Sequence, residues 1–198
     1  MIKCVLFDLG GVLVDFSDEE YFAYLSKVSK KSPKEVSGLL EYWWKRIDLG
    51  LIRIRFFEEK IEKLLKIPKS KVQWIEFYEK RVRLNKGMIA LERALKKKYT
   101  VAFLSNVDFS RYDIAVGLLD LKHFDYRFTS CYMRLRKPDP QIYKVVANRM
   151  RLKPSEIVFI DNRLDNVLGA RSVGMRALWF KGERATLIKQ LKRLGLTW

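Results

Sequence analysis

The sequence predicts an α/β fold: a doubly wound parallel sheet with a small helical module inserted into it. Short, continuous apolar runs recur at Cys4 to Phe7, Val101 to Leu104, Ile157 to Ile160 and Ala177 to Phe180, with a weaker one at Tyr126 to Phe128. Runs that are continuous rather than alternating suit strands buried on both faces. The stretches between them carry helical spacing, and strand alternating with helix implies parallel pairing. More than ninety residues separate the first run from the second, far more than one crossover needs, so something is inserted there.

Taken in order, residues 1–15 supply the first strand and 85–198 the rest of the core, with 16–84 as the inserted module and its first residues near Ser17. The module reads as about four helices. Phe57, Ile61, Leu64 and Leu65 form one stripe, and Pro33 and Pro68 fall where helices begin. Its many aromatics, among them Tyr21, Tyr42, Trp44, Trp74 and Phe77, are expected mainly as core of a small bundle. After the module, Met88, Leu91 and Leu95 share a helical face, Asp139 caps a helix with Pro140 in its first turn, and Gly195 stops a last helix carrying Ile188, Leu191 and Leu194.

Composition narrows the function. The 198 residues suit one domain plus a module, and 48% hydrophobic with 32% charged residues builds a real core. No apolar run approaches the ~18–20 residues that span a bilayer, and Asp8 interrupts the apolar start, so a soluble, cytoplasmic chain without membrane partners is expected. Cys4 and Cys131 lack any disulfide or zinc spacing and read as reduced core thiols. The net charge is +17, of which the module holds +5 and the remainder +12. With no basic tail or arginine-rich tract, nucleic acid is not expected as a partner; the surplus either steers a small phosphorylated metabolite toward the protein or reflects general proteome composition. The one histidine, His123, lies far from the polar strand ends and is expected at the surface or half buried.

In an open parallel sheet, ligands sit beyond the carboxyl ends of the strands. The residues there are Asp8, Ser105 with Asn106, and Asp161, joined by Asp165 one turn on and by the cluster Arg134, Arg136 and Lys137. Three carboxylates in one cleft resist ionising together. A divalent cation and Lys137 would neutralise them, and oxygen ligands with water are what Mg²⁺ accepts. Such a site suits phosphoryl transfer to a carboxylate.

These residues also match a family pattern. Val5-Leu6-Phe7-Asp8-Leu9-Gly10-Gly11-Val12-Leu13-Val14-Asp15 resembles the first motif of the haloacid dehalogenase superfamily, Leu104-Ser105-Asn106 its second, Arg136-Lys137-Pro138-Asp139-Pro140 its third and Ile160-Asp161-Asn162-Arg163-Leu164-Asp165-Asn166 its fourth. The insertion resembles its helical cap. The resemblance implies a Rossmann-like core and a hydrolase in which Asp8 is the nucleophile and forms an aspartyl-phosphate. Asp8, the Gly10 carbonyl, Asp161 and Asp165 would ligate Mg²⁺, Ser105 and the Asn106 amide would hold phosphoryl oxygens, and Lys137 would bridge Asp8 and the phosphoryl group. Asn162 stands where some relatives carry another acid. Specificity would come from the cap, with Trp44 and Arg46, and also Arg53 and Arg55, as candidates to face the cleft. The assembly would be a monomer or homodimer.

One departure stands out: family phosphatases usually place a second aspartate, an acid/base, where this chain has Gly10. Asp-Leu-Gly there also resembles a branch that includes phosphatases acting on glucose 1-phosphate. Two alternatives stay open: a metal-independent 2-haloacid dehalogenase, whose relatives lack that second acid, and a non-catalytic protein using its basic surface to bind a partner.

Overall fold

The computed structural model describes residues 1–16 and 18–198; Ser17, where the insertion was expected to open, lies outside them. Strands β1 (Cys4–Phe7), β4 (Thr100–Ser105), β5 (Tyr126–Thr129), β6 (Ile157–Asp161) and β7 (Arg176–Trp179) form one parallel sheet in the order β5-β4-β1-β6-β7. The chain leaves β1 toward one edge and returns to fill the other, so the order reverses around β1. Two further short strands, β2 (Val14–Asp15) and β3 (Arg83–Leu84), pair antiparallel where the insertion leaves and rejoins the core.

Both faces of the sheet are covered, which accounts for the unbroken apolar runs. On one face Val5, Phe7, Val101, Phe103 and Ile160 pack against Met88, Leu91 and Leu95 of α5 (Lys86–Lys96) and Leu187 and Leu191 of α10 (Arg184–Arg193). On the other, Leu6, Leu104 and Phe159 meet Ile142, Tyr143 and Val146 of α8 (Pro140–Arg149) and Val167 and Ala170 of α9 (Leu164–Ser172). The weak run at Tyr126 is weak because β5 is an edge strand: its first two residues face solvent and only Phe128 and Thr129 are buried. Asp139 caps α8 by accepting from the Gln141 N–H, as its spacing with Pro140 predicts. Gly195 ends α10 at φ 82°, a backbone setting that glycine reaches without strain. Both cysteines are free and buried.

Between β2 and β3 lie α1 (Asp18–Ser29), α2 (Pro33–Asp48), α3 (Ile54–Leu65) and α4 (Trp74–Arg81). They share an apolar cluster that includes Tyr21, Val36, Leu40, Phe57, Ile61 and Trp74. Pro33 begins α2 as predicted, behind a Ser32–Glu35 capping box. Pro68 does not begin α4. It precedes a single 3₁₀ turn, Lys69–Lys71, and α4 opens at Trp74, whose N–H is held by Glu58. Tyr42, expected in the bundle core, is 58% exposed on the outer side of α2. The remaining helices, α6 (Phe109–Leu118) and the short α7 (Ser130–Met133), follow β4 and β5 and face the insertion.

Candidate active site

Three adjacent strands end on one spot. Asp8 follows β1, Ser105 closes β4 and Asp161 closes β6, and the pairing register keeps those ends level: Phe7 lies beside Phe103 and Ile160. The Asp8 N–H is tied to the Ile160 carbonyl at 2.8 Å, which carries the β1–β6 pairing one residue beyond the strand.

Lys137 joins these ends. Its side chain is 1% exposed, and its Nζ lies 2.8 Å from Asp8 Oδ1 and 2.7 Å from Asp161 Oδ2 while donating to the Leu104 carbonyl at 2.8 Å. Three acceptors satisfy the three ammonium protons. The backbone of Lys137 is held as firmly: its N–H donates to Asn106 Oδ1 and its carbonyl accepts from Asn106 Nδ2, both at 2.8 Å. Asn106 therefore spends its side chain on fixing Lys137, leaving its own amide N–H for a ligand. Burial disfavours a charged Lys137, yet Asp161 and Asp8 outweigh it and raise its pKa. For Asp8, burial first and Asp161 second push the carboxyl upward, against the pull of Lys137.

Asp161 occupies a different place from the one expected of a metal ligand. It is 0% exposed: Oδ2 takes Lys137, Oδ1 takes the Arg163 N–H at 2.8 Å, and Asn166 Nδ2 spans both oxygens at 3.0 Å. With its oxygens filled by neighbours it orients Lys137 instead of opening to the cavity. Asn162, Arg163, Asp165 and Asn166 of the fourth motif line the cavity, and Asp161 does not. The Asn162 amide rests on Gly11, where a Cβ would come 2.2 Å from its Nδ2, and Gly11 has φ 74°. Asp8 keeps one oxygen open: Oδ1 takes Lys137 and the Leu9 N–H, and among the described residues nothing bonds Oδ2.

The cavity over this spot has a volume of about 450 Å³ and is walled by Asp8, Gly10, Ser105, Asn106 and Lys137 below and by the insertion above. Trp44 lines it as expected. Arg46 does not; its guanidinium lies over the ring of Tyr42 at 5.3 Å. Residues two apart on an α-helix are about 200° apart around the axis, so Trp44 and Arg46 cannot share a face. The inward face of α2 carries Ser37, Glu41, Trp44, Lys45 and Asp48, and neither Arg53 nor Arg55 reaches the wall.

Arg111, which no motif pointed to, holds the insertion against the core. Its guanidinium reaches Asp18 at 2.8 Å and Asp48 at 2.7 Å, both in the insertion, and also Asp108, the N-cap of its own helix. It lies beneath Trp44 and Trp74, at 5.4 and 4.9 Å from the ring centroids. Asp48 also meets Arg136 at 3.2 Å, and its carbonyl accepts from Ser130 Oγ at 2.6 Å. The only signal in the sequence was an arginine three residues after a capping aspartate, on a helix whose one other charged residue is Asp113.

The family model for haloacid dehalogenase-like hydrolases matches residues 2–174. Bifunctional epoxide hydrolase 2 of Rattus norvegicus is 33% identical over 117 residues, covering 56% of this chain and 21% of that protein, so the chain spans about a fifth of that relative. Sesquiterpene phosphatase astK of Aspergillus oryzae is 26% identical over 98% of this chain and 97% of its own. Among solved structures, the had family enzyme bt-2542 of Bacteroides thetaiotaomicron superposes with a TM-score of 0.80 at 21% identity, over 95% of this chain and 98% of that one; it has also been solved with magnesium and inorganic phosphate. The L-2-haloacid dehalogenase of Xanthobacter autotrophicus gives 0.64 at 22% identity, over 98% and 83%. At such identities these likenesses establish the shared fold.

Proposed function

The chain belongs to the haloacid dehalogenase-like hydrolases, and within that family we propose that it is a magnesium-dependent phosphatase acting on a small phosphomonoester through an aspartyl-phosphate on Asp8. The observation that carries this is the Asp8–Lys137–Asp161 arrangement: a carboxylate with one oxygen bound to a buried ammonium and the other open to a cavity that Ser105 and Asn106 also line. The full-length likeness to a sesquiterpene phosphatase supports phosphate as the group transferred.

The donor set fits a hydrated Mg²⁺. Among the described residues no three acids, histidines or cysteines form a metal cage, and Mg²⁺ asks for none: one or two carboxylates plus water and substrate oxygens suffice. Asp8, the Gly10 carbonyl and Asp165 would hold it, with the Asn162 amide in reach of the same wall and Asp161 behind Lys137. Bound there, it would offset negative charge on the phosphoryl oxygens.

The chain's own groups do the rest. Asp8 Oδ2 attacks phosphorus as the bond to the leaving oxygen breaks. Ser105 Oγ and the Asn106 N–H donate to phosphoryl oxygens, and Lys137 holds Asp8 Oδ1 so that Oδ2 faces phosphorus. The leaving oxygen must collect its proton from water, because Gly10 offers no side-chain acid. Water then attacks the aspartyl-phosphate at phosphorus and frees Asp8.

One observation favours the dehalogenase reading: Asp161 is sealed, so the cavity meets Gly10 and Asn162 where acids would strengthen a metal site. The two readings separate in one assay. Phosphate release from an aryl phosphate that needs Mg²⁺ and stops with chelator is the expected result; chloride release from 2-chloropropionate without metal, and no phosphate, would replace the phosphatase with the dehalogenase.

A further inference from the structure

The half of the cavity facing the leaving group differs from the half facing phosphorus. Phe16, at the neck of the insertion, Phe22 on α1, Trp44 on α2 and Tyr78 on α4 all line it. Their rings support one another, with centroids 4.7 Å apart for Phe22 and Trp44 and 4.5 Å for Phe16 and Tyr78. Packed this way they offer rigid apolar surface at little cost in lost side-chain motion.

The charged groups on the same wall are already paired. Lys45 faces Glu41, Arg136 faces Asp48, Arg111 faces Asp18, Asp48 and Asp108, and Arg163 lies near Asp165 and Glu19. Lys137 is committed to Asp8 and Asp161. Six carboxylates line the cavity against five cations, although the whole chain carries +17. A second anionic group on the substrate would find no unpaired cation among the described wall residues, and the charge of a bound Mg²⁺ would already be met by Asp8, Asp165 and the phosphoryl oxygens. On the insertion wall, Ser37 Oγ already donates to the Lys34 carbonyl and both Asp48 carboxyl oxygens are taken by arginines, so these groups offer a polyol nothing. Arg136 Nε is buried without a partner among the described residues, which suits a single acceptor atom and not an array of hydroxyls.

We propose that this site takes the monophosphate of an uncharged, apolar alcohol with a flat or ring-like body, gripped between aromatic side chains. The proposal rests on the phosphatase reading and adds the substrate class to it. Glucose 1-phosphate, the substrate suggested by the branch that Asp8-Leu9-Gly10 resembles, is then a poor substrate, and a sugar bisphosphate a worse one.

The test compares 2-naphthylmethyl phosphate, glucose 1-phosphate, glucose 6-phosphate and fructose 1,6-bisphosphate with the Mg²⁺-loaded protein. A kcat/KM at least tenfold higher for the naphthyl ester, carried mainly by KM, is expected. Phe22→Ser, at a partly buried position on α1, should erase that advantage while leaving inhibition by inorganic phosphate intact, with a melting curve confirming that the variant is folded. Calorimetric binding of 2-naphthylmethylphosphonate should weaken at least fivefold in the same variant. Equal or better turnover of either glucose phosphate, or a Phe22→Ser effect that is uniform across all four esters, overturns the substrate assignment and leaves the phosphatase reading standing. Failure to hydrolyse any of the four esters, with no calorimetric binding of inorganic phosphate, overturns both.

Discussion

The two walls of the cavity are built by different means. Beneath, the sheet delivers Asp8, Ser105 and Asp161 on the ends of three level strands, and Asn106, Lys137 and Asp161 are held there by backbone or by a neighbour that backbone holds. Above, the insertion delivers aromatic rings and is joined to the core by a small cluster centred on Arg111 and its three carboxylates, with Arg136 and Ser130 also bound to Asp48. The sheet wall is thus fixed by many local bonds, and the insertion by a few long-range ones. On the proposed function, chemistry belongs to the first and selection to the second, which predicts that damage to the two walls will look different.

The largest expected effect lies in the sheet wall. Asp8→Asn keeps size and shape while removing the attacking charge, so phosphate release should fall to background with the melting temperature nearly unchanged. Wild-type turnover from this variant would take the nucleophile away from Asp8.

Next in size is Arg111→Met. It strands Asp18, Asp48 and Asp108 beside one another, and breaking a buried charge network by removing one member costs about 3–5 kcal/mol. Burial already raises the carboxyl pKa of Asp18, to about 6, and of Asp48, even with Arg111 in place. The loss should be read as a lower denaturation midpoint and a raised KM, and adding an apolar ester should restore part of the stability by binding the folded form. A variant that melts as wild type would show that the insertion docks without its hub.

This contrast also decides what the sequence reveals. Asp8, Ser105, Asn106 and Asp161 were legible because each follows directly from a buried strand, and strands announce themselves by unbroken apolar runs. Lys137 was legible from its motif. The role of Asp161 was only half legible: its position follows from the strand, but whether its oxygens face a metal or a lysine depends on Asn166 and the Lys137 rotamer. Arg111 was illegible because its partners Asp18 and Asp48 lie 93 and 63 residues away in the chain. Arg46 failed for a simpler reason, the angle between it and Trp44 on one helix.

A smaller effect tests whether satisfied polar groups are what steady the sheet side. Glu92 on α5 is an exception: it is buried, its Oε1 has no hydrogen-bond partner among the described residues, and burial pushes its pKa up to about 7. Arg93, Lys96, Asp120 and His123 surround it, the last at 3.8 Å. A carboxyl with a raised folded pKa leaves stability intact below its unfolded pKa, near 4.5, and removes it as pH climbs toward 7. Glu92→Gln should therefore add about 2 kcal/mol at pH 8 and almost nothing at pH 4, read from urea midpoints at both. Equal gains at both pH values would mean that the gain does not come from the charge on Glu92, and a loss at pH 8 would mean that Glu92 finds a partner in solution.

The smallest expected effect probes the one place where the sheet wall lacks a group. Gly10 has no positive φ, and a Cβ there would meet only the Phe16 carbonyl, at an ordinary 3.8 Å. Space and backbone therefore both accept a side chain, in contrast to Gly11, where φ 74° and Asn162 exclude one. A positioned acid/base contributes ~10²–10⁴ in rate when its geometry is ideal. Gly10→Asp has no neighbours evolved to orient it, so a rise of about tenfold in kcat, worth ~1.4 kcal/mol, is the expected return. Burst kinetics locate the gain, since an added base should hasten breakdown of the aspartyl-phosphate and shrink its accumulation. Unchanged kcat with a larger burst would mean that proton transfer does not limit this enzyme, and that water reaching the closed cavity does.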